Sequence, residues 1–407
     1  MLLSLALILL CGLALGGIFQ KLRLPSLLGM LITGIILGPY VLNLIDESIL
    51  NISVDIRQIA LVIILTRAGL ALDINDLKKV GRPAILMCFV PACFEIIGFV
   101  LLGPLLLNIS ILEAAIMGTV IAAVSPAVVV PRMLKLMDEG YGIKNRIPQI
   151  IMAGSSVDDV FVIVLFTSFT SLATGGAVSV MEFVKIPISI VLGIVVGVGV
   201  GFALYLLYKK LHIRDSIKVL ILLSAAFVLL ALEESVERYV PFSGLLAVMA
   251  IGVIILQKSP EVAERLSAKY SKLWAWAEVM LFVLVGATVD IKYAVSSGVS
   301  VILLVLAVLA FRMTGVFVCM LKTKLTIKER FFCMIAYIPK ATVQAAIGGL
   351  PLAMGLACGP IVLTAAVIAI LVTAPLGAFG IDLTYKKLLK YSADEISSSE
   401  VNQIGSG

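Results

Sequence analysis

Charge is scarce in this chain. Of its 407 residues only 14% are charged, against 61% hydrophobic, and the mean hydropathy is +1.17. A soluble globular domain carries about 25% charged residues, so the composition excludes that class and points to an integral membrane protein. The alternation of a barrel is missing too: uncharged runs of 18 to 25 residues recur, where barrel strands give alternating segments of about ten. There is one histidine, His212, in a basic loop, and it reads as a solvated bystander rather than a pH sensor. The six cysteines (Cys11, Cys88, Cys93, Cys319, Cys333 and Cys358) all fall inside apolar runs. They read as small core residues, which excludes a disulfide framework and a cysteine metal site. The first span runs on without a cleavage-site pattern, so no separate signal peptide is expected. The Ser-rich segment 392–407 is expected to be a disordered cytoplasmic tail with no soluble regulatory domain after it. No cofactor is expected.

Apolar runs between charge clusters predict thirteen transmembrane helices, near 1–19, 26–45, 57–72, 83–107, 112–134, 149–172, 184–208, 217–234, 241–257, 274–290, 299–321, 331–353 and 359–381. The basic residues give an independent check, because cytoplasmic loops carry an excess of them. Of the 31 Lys and Arg, 24 lie in loops after odd-numbered spans or in the segment after the last one, and four (Arg57, Lys185, Arg238, Lys292) lie in loops after even-numbered spans. The last three, Arg67, Arg312 and Lys340, are intramembrane. This alternation predicts a multi-pass protein of the plasma or inner membrane with its N-terminus outside and its C-terminus inside.

Two adjacent carboxylates, Asp158 and Asp159, are the only charges between Arg146 and Glu182. A charge near the bilayer centre costs roughly 2.5–3.5 kcal/mol on insertion scales and faces a bundle interior or a water-filled cavity. Two like charges side by side are costlier to ionise together. A pair buried neutral in a structural network is the bland alternative. A site that exchanges a proton for a cation is the reading favoured here.

The two halves echo each other. LVIILTRAGLALDINDL resembles MLFVLVGATVDIKYAV, which aligns Asp73 with Asp290 at an offset of 217, and Glu95 and Arg312 fall at the same offset. AAVSPAVVVP lies opposite AYIPKATVQAA, with Pro126 and Pro339 offset by 213. Seven helices separate equivalent positions, an odd number, so the second half crosses in the opposite sense. The inverted repeats are expected at approximately 1–172 and 217–381. Pro126, Pro131 and Pro339 remove backbone donors in mid-span, and Gly348 and Gly349 add freedom, so spans 5 and 12 are expected to be broken. Paired broken helices near the midplane are the plan of secondary transporters.

At LTRAGLALD (65–73), AVSPAVVVP (123–131), GSSVDDV (154–160) and IPKATVQAAIGG (338–349) the chain resembles the cation/proton antiporters, and within them the NHA-type sodium/proton antiporters with an Asp-Asp motif. The resemblance covers roughly 20–381. It implies an all-α polytopic fold like that of NhaA, with about 13 helices, an inverted-topology repeat and two crossed broken helices. It also implies alternating access and a homodimer. Transport-core helices are expected at approximately 57–172 and 274–381, and dimerisation or scaffold helices at approximately 1–45 and 184–257. From the resemblance, Asp159 is the carboxylate that binds cation or proton, Asp158 is its neighbour, bridged to Lys340 in at least one state, and Glu95 with Arg312 is an additional intramembrane ion pair. One departure is plain: where many members have Thr-Asp-Pro in span 5, this chain has Val124-Ser125-Pro126.

Sodium must exchange its water shell for oxygen ligands. Asp159 supplies an anionic oxygen, Ser155 lies one turn earlier on the same face, and Ser125 with freed carbonyls completes the candidate shell. Small-residue packing is an equal alternative for Ser155. Lys340 is read as the charge-coupling residue. Three roles stay open for Glu95 and Arg312: a gate, a stabiliser or a charge compensator. Arg67 has no evident partner. Gly193, Gly197, Gly199 and Gly201 give span 7 a small-residue face suited to close helix contact, within the subunit or across a dimer. The expected function is exchange of Na⁺ or Li⁺ for H⁺. The alternatives are K⁺/H⁺ exchange or another sodium-coupled transporter of the same fold. No enzyme is expected: an intramembrane aspartyl protease needs facing carboxylates on separate helices, whereas Asp158 and Asp159 stand about 100° apart on one helix, and no Gly-x-Gly-Asp is present.

Overall fold

The computed structural model describes residues 1–72, 81–174, 180–211, 213–236 and 242–391. Asp73, His212 and the 392–407 tail lie outside the described residues. The first half contains α1 (Leu2–Lys21), α2 (Ser26–Leu37), α3 (Glu47–Asn51), α4 (Ser53–Ala71), α5 (Arg82–Met87), α6 (Val90–Leu107), α7 (Ile111–Ile121), α8 (Pro126–Asp138) and α9 (Ile147–Thr174). Then follow α10 (Val180–Lys210), α11 (Asp215–Val236), α12 (Gly244–Lys258), α13 (Pro260–Ala287) and α14 (Ile291–Cys319). The chain closes with α15 (Ile327–Ala336), α16 (Thr342–Ile347), α17 (Leu350–Ala353) and α18 (Gly359–Leu388).

Among the described residues, nine helical stretches are long and apolar enough to cross a membrane, counting α5 with α6 and α7 with α8. Three further apolar stretches, α2, α12 and 342–353, are shorter. The difference from thirteen has local causes. α2 ends at Gly38-Pro39 after 12 residues, as a residue before proline favours extended backbone. α4 carries Asp55, Arg57 and Arg67, and 342–353 belongs to a broken element. Arg57, expected in an outer loop, is instead inside α4 and only 2% exposed.

Two bundles are evident in the packing. In one, α13 packs on α1, α2 and α4, α4 packs on α12, and α12 on α10. In the other, α6 packs on α14 and α7, α9 on α5, α7 and α8, and α18 on α14 and α15. Spans 3 and 10 (α4 and the second half of α13), expected with the transport core, make most of their contacts in the first bundle. Glycine permits backbone-to-backbone approach there. A methyl group at Gly286 would run into the Leu31 carbonyl of α2, and one at Gly252 into the Gly69–Leu70 backbone of α4. Gly193, Gly197 and Gly201 of α10 lie against Ser243, Ala247 and Ile251 at or within α12, whereas Gly199 has open space around it. The small-residue stripe therefore serves a contact within the subunit. All six cysteines are free.

The half-helices that lead into the two breaks begin alike. Ser110 caps α7 with Glu113 reaching back to its N–H, and Thr326 caps α15 with Glu329 in the same reciprocal arrangement. Each box satisfies donors that a helix start leaves unpaired. The end of the second bundle nearest the end of α18 is strapped by aromatics. Tyr141 rests edge-on against Tyr385 and tilted against Tyr391, Gly142 N donates to the Lys390 carbonyl at 3.0 Å, and Tyr385 OH donates to Glu139 at 2.7 Å.

Candidate functional site

Helical order stops at Ile121 and resumes at Pro126, and it stops again at Ala336 and resumes at Thr342. The two extended segments meet: Ser125 N donates to the Pro339 carbonyl at 2.8 Å. Buried backbone polar groups need partners, and side chains supply most of the others. Gln344 Nε2 donates to the carbonyls of Ile121 and Ala123 at 2.9 and 3.0 Å. Arg312 donates to the Ala122 carbonyl through Nη1 and to the Tyr337 carbonyl through Nε at 2.8 Å. Val124 N donates to Asp158 Oδ2 at 2.9 Å, and Lys340 N to Thr373 Oγ1 at 3.0 Å. One guanidinium thus satisfies a freed carbonyl at each break.

Four charges share this crossing. Arg312 reaches Glu95 Oε2 at 2.8 Å and Asp158 Oδ2 at 2.9 Å, and Lys340 Nζ reaches the same Glu95 Oε2 at 2.5 Å. All four side chains are at most 1% exposed. In this structure Asp158 pairs with Arg312, and Lys340, expected to bridge Asp158 in at least one state, pairs with Glu95. Arg312 projects from the continuous helix α14 between the breaks and takes Asp158 with its second nitrogen, while Lys340 lies on the far side of Glu95. Glu95 and Arg312, singled out by their common offset, are in direct contact, but as the middle of a chain of four.

Asp158, Arg312, Glu95 and Lys340 sum to zero formal charge. Asp159, the next residue on α9, is 6% exposed while Asp158 is fully buried. Its Oδ1 has no hydrogen-bond partner. The Ser125 hydroxyl is 1% exposed and likewise without a partner, as is Asp158 Oδ1. Ser155 is buried and spends its donor on the Met152 carbonyl at 3.0 Å, leaving oxygen lone pairs free. A buried carboxylate with no counter-charge and an unsatisfied oxygen needs a proton or a cation. Among the described residues no cluster of three metal-ligating side chains exists.

Sequence reasoning missed two residues. Gln344 was passed over inside PKATVQAA, although an amide in so apolar a run is itself a signal. Arg67 faces an opposite charge, Glu278 of α13. That carboxylate also lines a cavity of about 860 Å³ with Ser26 of α2, Pro131 and Arg132 of α8, and Asp382 of α18. The cavity lies between the two bundles.

The family described as "Sodium/hydrogen exchanger, transmembrane" matches residues 5–387. The chain is similar to the mouse (Mus musculus) protein named sodium/hydrogen exchanger 9B2, at 31% identity over 385 residues, 91% of this chain and 69% of the mouse protein. It is similar to the human (Homo sapiens) sodium/hydrogen exchanger 9B1, at 31% identity over 395 residues, 92% of this chain and 75% of that one. In fold it resembles the sodium proton antiporter MjNhaP1 from Methanocaldococcus jannaschii, with a TM-score of 0.82 at 20% identity, covering 94% of this chain and 97% of the other.

Proposed function

Because this chain belongs to the transmembrane sodium/hydrogen exchanger family, we propose that it exchanges Na⁺ or Li⁺ for H⁺ across a membrane, the two competing for Asp159. The observation that carries this reading is the charge balance at the crossing. Four buried charges neutralise one another, and one carboxylate remains with an unpartnered oxygen. A proton or a dehydrated monovalent cation restores neutrality equally well, so the two are mutually exclusive occupants. Ser125, Ser155 and the break carbonyls supply neutral oxygens for the cation, and Lys340 couples the site to Glu95 by charge.

Alternating access follows from placing this site in the second bundle. The core is drawn around α5–α9 and α14–α18. The scaffold takes α1, α2 and α10–α12, and the packing of α4 and α13 against these helices supports including them in it. The cavity between the bundles is the route from the cytoplasmic side. The full reading has thirteen crossings in inverted repeats, an outside N-terminus, a cytoplasmic C-terminus, the cell membrane as location, and a homodimer joined through scaffold helices. The basic-residue alternation supports the orientation.

The test is dye dequenching in acid-interior proteoliposomes, with Na⁺, Li⁺ and K⁺ supplied in turn. Na⁺ and Li⁺ are expected to relieve the gradient. Asp159→Asn and Asp159→Ala should abolish exchange in a protein that still elutes and melts as folded. Exchange at the wild-type rate by Asp159→Ala overturns the assignment.

A further inference from the structure

Gln344 is fully buried on α16, and its surroundings fix the orientation of its amide. The two groups it meets, the carbonyls of Ile121 and Ala123, are both acceptors, so the nitrogen must point to them. The Ala123 carbonyl and the Val124 N–H belong to one planar trans peptide and point to opposite edges of it. That N–H donates to Asp158 Oδ2. A single peptide unit therefore carries Gln344 on one edge and Asp158 on the other. From Asp158 the bonds run on through Arg312 and Glu95 to Lys340. Lys340 lies four residues before Gln344 in the same broken segment, so the path closes into a ring that ties both breaks together.

We propose that Gln344 is a positioning residue for the cation site. By clamping the Ala123–Val124 peptide it keeps the Val124 N–H on Asp158, which holds Asp158 to Arg312 and leaves Asp159 as the carboxylate that receives the ion. The inference rests on the assignment of Asp159 made above. Without the amide the peptide loses the clamp on its carbonyl edge and turns, the Asp158 bond on the other edge lengthens, and the oxygens of the 121–125 segment no longer present a fixed set to the ion. Fixed oxygens distinguish a site that binds a dehydrated cation from one that merely admits it.

Gln344→Met keeps the length and removes the donor, and Gln344→Asn keeps an amide one methylene too short to span both carbonyls. Each is compared with wild type in proteoliposomes for apparent KM and maximal rate with Na⁺, after thermal melting in detergent confirms folding. The expected result is a KM raised about five- to tenfold, the effect of losing the one Val124–Asp158 hydrogen bond that the clamp maintains, with maximal rate within about twofold. A folded variant with wild-type KM, or with reduced rate at unchanged KM, overturns the inference, the second marking a purely structural residue. If Gln344→Met does not fold, Gln344→Asn carries the same decision. Asp159→Asn is run alongside: exchange by that variant overturns the parent assignment, while its silence together with a wild-type KM in Gln344→Met overturns only the role of Gln344.

Discussion

The backbone N–H of Ser125 donates to the carbonyl of Pro339 at 2.8 Å, so the interruption in one helix is closed by the interruption in the other. Proline explains the interruptions. Pro126 has no N–H to offer, and the residues before Pro126 and Pro339 are pushed away from helical backbone. Membrane interior offers no water to the groups set free. The two halves must therefore satisfy each other, and Arg312 and Gln344 complete what the backbone leaves.

The shared position of Glu95 gives a stability prediction. Glu95→Gln strands Lys340 and takes from Arg312 one of its two carboxylates, and removing one partner of a buried ion pair costs about 3–5 kcal/mol. Thermal melting in detergent should show a large loss for Glu95→Gln, partly recovered in Glu95→Gln/Lys340→Gln. Strictly additive losses across that cycle would show that the pair is not coupled.

Orientation is testable by labelling. In a background lacking the six native cysteines, a cysteine at Asn108 should react with an impermeant maleimide from outside intact cells. One at Lys144 should react only after permeabilisation. The opposite pattern reverses the topology and with it the thirteen-crossing scheme.

Helix contact through Gly197 predicts a matched pair. Gly197→Leu forces a side chain onto the Ala247 backbone, where a built Cβ already meets Ala247 Cα at 2.7 Å. Overpacking of that kind costs about 1–3 kcal/mol. Gly199→Leu points into open space and should leave the melting temperature within about a degree of wild type. Equal losses in the two variants would exclude the α10–α12 crossing.

At the aromatic strap, the hydrogen bond from Tyr385 chiefly, with Lys135 and Lys386 nearby, holds the exposed Glu139 carboxyl below the usual glutamate range. A depressed folded value means that the strap is stabilised above the ordinary carboxylate pKa of about 4.3 and loosens as pH falls through the lower folded value. Hydrogen-exchange protection across 139–146, corrected for the intrinsic slowing of exchange in acid, should fall on acidification below that point. Tyr385→Phe should remove this pH-dependent loss of protection; its persistence would place the sensing group elsewhere.

Membrane class and family were legible because each rests on local chemistry. Hydropathy marks apolar runs, and the proline and Asp-Asp motifs mark the broken crossing. The S-x-x-E and T-x-x-E boxes at Ser110 and Thr326 were equally readable signals of where the half-helices begin. The partner of Asp158 was not legible. Arg312 and Lys340 are both long, basic and intramembrane, and which one reaches Asp158 depends on where α14 crosses α9, a three-dimensional fact with no one-dimensional trace. The same holds for Arg57, whose burial beside Gly349 looks like a loop charge in the sequence, and for Arg67 and Glu278, which are 211 residues apart. Short helices such as α2 differ from the long spans in length rather than apolarity: the helix stops after 12 residues at Gly38-Pro39, a break that an apolar run does not register.

The glycine contacts at Gly286, Gly252 and Gly197 join α2 to α13, α4 to α12 and α10 to α12 by backbone against backbone. A side chain can change rotamer and let its neighbour slide; a peptide pressed on a peptide has no such play. These seams behave as welds. In the proposed alternating access, the displacement that carries the Asp159 site across is expected to have its slip plane elsewhere, along the boundary where α8 and α18 face α2 across the cavity of about 860 Å³. Substitutions of the side chains lining that gap are then expected to change the turnover rate more than substitutions at the glycine seams.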